Sequence, residues 1–209
     1  PHYLEKIERG DSVATAIDRL CFAENAFLGE EFDNLFASLF DNSDNHEKIV
    51  NELSKSGKGL TRGEIVDKTG IGSGGRLTTY LAELSESGFI SNYKPLDKKV
   101  KETLYRLSDE YSLFYTKFIR DNQGGDWTTL FSSRSYLSWG GFAFEILCLK
   151  HVGQIKRTLK IGAVASNNST WRNDNAQIDL VIDRADKTIN LCELKFYAKE
   201  FTISKNYKG

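Results

Sequence analysis

Methionine is absent from this sequence, and cysteine and histidine are scarce, at three residues each. Cys21, Cys148 and Cys192 are odd in number, scattered, and form no C-x-x-C pair. That spacing argues against a disulfide framework or a zinc cluster and suits a reducing compartment, so the cytoplasm is the expected location. His2, His46 and His151 are equally dispersed and mark no ligand set. No apolar run approaches the ~20 residues of a bilayer-spanning helix, so no membrane partner is expected. A G-x-x-x-x-G-K-[ST] phosphate loop is also missing. The glycines of "GIGSGG" (70–75) read as a turn into a helix, without the lysine that phosphate binding needs. The missing methionine, and a final "FTISKNYKG" that reads as the start of a helix, lead us to expect a piece of a longer chain.

What is present is an ordinary globular composition, 40% hydrophobic and 27% charged. The formal net charge of −1 conceals a gradient. Residues 1–43 carry 3 basic and 9 acidic side chains, residues 44–120 carry 13 and 11, and residues 121–209 carry 12 and 9. The front of the chain is a poor partner for nucleic acid, whereas the rest can contact it weakly.

The pattern predicts an α+β multidomain chain. Apolar residues recur at steps of three and four through 1–40, which predicts helix, and "DNSDN" (41–45) reads as a linker after a helical segment ending at residue 43. A second unit spans 44–120. Its first helix carries Ile49, Val50 and Leu53; "LTRGEIVDKTG" follows, with Thr61 and Glu64 spaced as a capping box. A third helix, with Ser73 as its expected N-cap, buries Leu77, Leu81 and Leu84. "FISNYKPLDKKVKETLYRL" alternates like a hairpin with a basic tip, and this order is that of a winged helix-turn-helix. In that reading Arg76, Thr78 and Thr79 face the major groove, and Lys98, Lys99 and Lys101 meet phosphates. The third helix is net acidic, with Arg76 against Glu83 and Glu86, and winged helices also serve as protein-interaction modules. "DEYSLFYTKFI" (109–119) reads as a helix leading out. Residues 121–209 read as an α/β unit: one long helix over 138–159, a strand within 161–172, and a hairpin in "IDLVIDRADKTINLCELKF".

That hairpin carries charges where strands usually bury apolar groups. Side chains alternate faces along a strand, so Asp179, Val181 and Asp183 share one face, and Glu193 and Lys195 project side by side. A hairpin can bring Asp179 to them. Mg²⁺ takes oxygen ligands, often one or two carboxylates plus water and phosphate, and a lysine nearby can steady developing negative charge. These are the parts needed to hydrolyse a phosphodiester; the plainer alternative is an ion-pair cluster at a sheet edge.

The run Asp179…Glu193-Leu194-Lys195, with 13 residues between the two acids, resembles the PD-(D/E)XK nuclease superfamily, the restriction-endonuclease-like fold. Glu145 in "GGFAFEILCLKH" matches that family's helical glutamate, whereas Ile178 stands where many members have proline. The resemblance implies that Asp179 and Glu193 bind Mg²⁺ or Mn²⁺, with Glu145 as an auxiliary ligand and Lys195 as the catalytic lysine. Over essentially its whole length the chain resembles the C-terminal half of bacterial and archaeal ATPases of the AAA superfamily. Those join a P-loop domain and helical lid to a winged helix and a nuclease-fold tail. The resemblance implies that residues 1–43 end the lid, that 121–209 hold an incomplete nuclease-like domain, and that ATP binds only a missing N-terminal domain. DNA, that ATPase domain and a second copy of the chain are the implied partners. A non-catalytic DNA-binding or protein-interaction module that regulates the ATPase is the alternative.

Overall fold

The computed structural model describes residues 3–96, 99–121, 125–131, 133–172 and 176–197. These form a mixed α/β structure in which helices surround two antiparallel three-stranded sheets. No helix among the described residues is long and apolar enough to cross a membrane.

The first forty residues are helical in pieces. Ser12 accepts a hydrogen bond from the Thr15 amide and starts α1 (Val13–Ile17), which continues as a π-helical turn, Asp18–Phe22. The chain then reverses through Asn25, at φ 57, and the Leu28 amide bonds back to the Leu20 carbonyl. α2 (Glu31–Leu39) follows. The turn between the pieces lets Phe22, Phe32 and Phe36 enter one core together.

The next segment runs α3 (Asp44–Ser54), β1 (Leu60–Thr61), α4 (Arg62–Thr69), α5 (Gly75–Glu86), β2 (Ile90–Tyr93) and β3 (Leu104–Leu107). The capping box forms: the Thr61 amide donates to Glu64 at 2.7 Å, and the Glu64 amide donates to the Thr61 hydroxyl at 3.3 Å. Gly74, rather than the expected Ser73, stands at the N-cap of α5 with no side-chain cap, and Arg62 donates to the carbonyls of both Ser73 and Gly74. Gly88, at φ 79, turns the chain from α5 into β2 without the penalty that a side chain incurs there. β3 lies between β1 and β2 and pairs antiparallel with both.

α6 (Glu110–Phe114) passes into a second π-helical turn, Tyr115–Ile119, and α7 (Trp127–Phe131) leads to α8 (Arg134–Lys150). The single helix expected over 138–159 is two. It begins earlier, where Ser133 caps the Tyr136 amide, and it breaks at His151 before α9 (Val152–Thr158). The break lets Val152 and Ile155 turn onto the second sheet, of β4 (Ser166–Arg172), β5 (Gln177–Arg184) and β6 (Ile189–Cys192).

One buried cluster runs from Leu20 to Ile146 and crosses the expected boundaries at 43/44 and 120/121. Aromatic contacts do much of this joining. Phe32 stacks on Tyr115 at 4.4 Å, and Trp139 meets Phe118 edge-on at 5.2 Å. A smaller cluster of Val152, Leu180 and Ile182 lies between α9 and the second sheet.

Candidate functional site

The register of the second sheet decides which charges can meet. Leu180 opposes Cys192, Val181 opposes Leu191, and Ile182 opposes Asn190. Directly opposed residues in an antiparallel pair share a face. The ladder ends at the Leu180–Cys192 pair, one residue short of Asp179 on β5 and of Glu193 beyond β6. Leu180 and Ile182 occupy the other face and pack with Val152, Cys192 and Leu194. Val181 is also buried, so β5 is covered on both faces at its centre.

β6 stops at Cys192, so Glu193 and Lys195 lie in the extended segment after the strand instead of within it. Asp179 replaces the missing ladder contact. Its Oδ2 accepts from the Leu194 amide at 2.9 Å, and its Oδ1 accepts from Gln177 Nε2 at 3.0 Å. With 7% exposure, the Asp179 carboxylate is nearly buried, and both oxygens are used. Glu193 and Lys195 form an ion pair with each other and remain open to solvent. Phe196 anchors the segment against α8. A Cβ at Gly140 would lie 2.9 Å from its ring, so a glycine there permits the close approach.

Glu145 projects from α8 next to buried Ile146. Its Oε1 accepts from Arg106 Nη1 at 2.8 Å. Burial pushes the Glu145 carboxyl above its ordinary range; the Arg106 guanidinium opposes this, and the charges of Asp179 and Glu193 reinforce it. Glu145 therefore lies within electrostatic reach of both Asp179 and Glu193. Each nonetheless has its own partner, and no three His, Cys, Asp or Glu side chains among the described residues come close enough to hold a metal together. The donors still suit a hard cation. Mg²⁺ commonly takes one or two carboxylates and completes its shell with water. Asp179, shielded from solvent, and Glu193, one residue past the end of β6, supply that number.

Arg106 is the residue that sequence reasoning missed. It is 3% exposed, lies in β3 and opposes the small Ser91 on β2. A lone arginine in the apolar stretch "TLYRL" was the available signal, because a buried charge requires a partner.

Of the residues expected at nucleic acid, Arg76, Thr78 and Thr79 are exposed on α5, and Thr79 also bonds the Gly75 carbonyl at 3.3 Å. Lys99 and Lys101 are exposed before β3, and Lys98 lies outside the described residues. Glu83, which makes α5 acidic, is taken up by His46 Nε2 at 2.7 Å. The hairpin connection is fastened to the second sheet, where the Leu96 amide donates to the Thr170 carbonyl at 2.9 Å. Comparison of the chain with protein-family models, with curated proteins and with solved structures finds no match.

Proposed function

We propose that the chain is the C-terminal part of a DNA-associated ATPase of the AAA superfamily and that its second sheet carries a Mg²⁺-dependent phosphodiesterase site of the PD-(D/E)XK type. The carrying observation is the bond from the Leu194 amide to the Asp179 carboxylate, which ties Asp179 to the segment that bears the Glu193–Lys195 ion pair, with Glu145 in electrostatic reach of both acids. In this reading Asp179 and Glu193 hold the cation, and Glu145 is an auxiliary acid. Mg²⁺ bound there would supply a polarised phosphate oxygen and a water of lowered pKa. Gln177 and the Leu194 amide fix the Asp179 carboxylate, so its orientation is set before substrate arrives. Lys195 brings a positive charge beside the acids, where it can steady negative charge on a phosphate oxygen. In this reading residues 44–120 act as a winged helix that presents Arg76, Thr78 and Thr79 on α5 and Lys99 and Lys101 before β3.

The test is incubation of the chain with supercoiled and linear DNA in Mg²⁺ or Mn²⁺. Metal-dependent nicking that is lost in Glu193→Ala supports the reading. Absence of cleavage under either metal, or full cleavage by Glu193→Ala, rejects it. One observation favours a second, non-catalytic reading: the Leu96–Thr170 bond ties the wing to this chain's own sheet. On that reading the segment is a protein-interaction module, and Lys99→Ala/Lys101→Ala leaves DNA affinity unchanged.

A further inference from the structure

Arg106 is held mostly by its own segment, and it spends its charge on another. Nη2 donates to the Tyr93 hydroxyl at 3.2 Å, and the guanidinium carbon lies 5.0 Å from the centre of the Tyr93 ring. The Tyr93 hydroxyl in turn donates to the Lys58 carbonyl at 2.6 Å. Nη1 crosses to α8 and takes Glu145. A cavity of about 230 Å³ has Tyr93, Arg106, Ile146, Thr170 and Leu180 in its wall, so Arg106 shares it with the sequence neighbours of Glu145 and of Asp179.

We propose that Arg106 is a positioning residue that holds Glu145 out of the Asp179–Glu193 site, so that the seating of β3 against α8 determines whether that site offers two carboxylates or three. The inference rests on the cation-binding reading above. A guanidinium and a divalent cation compete for the same carboxylate oxygen, and they repel each other at close range. While Arg106 occupies Oε1, Glu145 is electrostatically near the other acids but chemically committed elsewhere. Displacement of Arg106 leaves Glu145 buried beside two anions, and a divalent cation relieves that repulsion. A segment expected to contact DNA thereby controls the composition of the acid site through one side chain.

The test is a Mn²⁺ titration of the 209-residue chain, read by the electron paramagnetic resonance of free Mn²⁺ and by the Mn²⁺-induced rise in melting temperature. Arg106→Gln should tighten Mn²⁺ binding by about tenfold and show a larger melting-temperature rise than wild type. The gain should vanish in Arg106→Gln/Glu145→Gln. It should be absent in Arg106→Lys, which keeps the charge. A folded Arg106→Gln variant that binds Mn²⁺ like wild type, or more weakly, overturns the proposal. If Arg106→Gln does not fold, Tyr93→Phe decides: it removes one bond that steadies the guanidinium, and a severalfold tightening supports the proposal while none overturns it. Failure of the underlying reading looks different. In that case no variant binds Mn²⁺ saturably, or Asp179→Asn binds as well as wild type, and the proposal falls with it. Asp179-dependent binding without a gain in Arg106→Gln rejects only the role of Arg106.

Discussion

The Arg106–Glu145 pair should respond unequally to removal of its two members. Its side chains are 4% and 15% exposed, so both charges are largely out of water. Glu145→Gln removes a carboxylate that burial and two neighbouring acids already destabilise, and it keeps an acceptor for Arg106. Its cost at neutral pH should be the smaller of the two: Arg106 loses its counter-charge but keeps a hydrogen-bonded partner, and the repulsion from Asp179 and Glu193 is relieved. Arg106→Gln is different. It leaves Glu145 without its counter-charge beside Asp179 and Glu193, and breaking a buried pair this way costs about 3–5 kcal/mol. For a chain of this size that is a fall in melting temperature of roughly 6–20 °C. The pH dependence carries a sign. A carboxyl raised in the folded state favours folding below its unfolded value and loses that contribution as pH rises through the folded value. The Arg106→Gln deficit should therefore shrink at acid pH, where Glu145 takes up a proton, and be largest at neutral pH and above. Circular dichroism melts of both variants across pH 5 to 8 measure this. Equal losses for the two variants at neutral pH, or an Arg106→Gln deficit that grows on acidification, would refute the reasoning.

Other outcomes follow from separate parts of the molecule. Thr61→Ala should cost about 1 kcal/mol, since it removes the α4 N-cap, and thermal melts would show a fall of roughly 2–4 °C. The Thr61 amide holds the Glu64 carboxyl below its ordinary range, so Glu64 stabilises the fold above its unfolded value and loses that effect as pH falls through the lower folded value; Glu64→Gln should flatten that part of the acid limb. Burial pushes the Cys21 thiol up to about 12, so iodoacetamide at mildly alkaline pH should spare Cys21 in the native chain and label it after unfolding, as peptide mass spectrometry can show. If the wing contacts DNA, Lys99→Ala/Lys101→Ala should weaken binding at all sequences and lower the salt slope by about 2, as measured by fluorescence anisotropy over a range of salt.

Legibility followed the range of the interaction. Alternation in 178–192 located the two strands of the acid hairpin, and the Thr61/Glu64 spacing located the start of α4, because both signals are local. Alternation does not report where a ladder ends. Glu193 and Lys195 accordingly lie past β6, and the Asp179 side chain replaces a strand contact by bonding the Leu194 amide. The break at His151 was hidden by continuous apolar spacing, since it answers to the packing of Val152 on Leu180 and Ile182. Arg106 and Glu145 are 39 residues apart in sequence, and neither has a local pattern that announces the other. The buried cluster from Leu20 to Ile146 was equally unreadable as one body, because composition shifts at residues 41–45 mark a connection without saying what packs across it.

The central claim is that Asp179 and Glu193 form a cation site that hydrolyses phosphodiesters. The most direct measurement is cleavage of supercoiled DNA in Mg²⁺ or Mn²⁺ by the wild-type chain beside Asp179→Asn and Lys195→Ala, each first shown to be folded by circular dichroism. The account predicts metal-dependent cleavage by wild type and its loss in both variants. Cleavage by folded Asp179→Asn at the wild-type rate, or none by wild type with either metal, would contradict it.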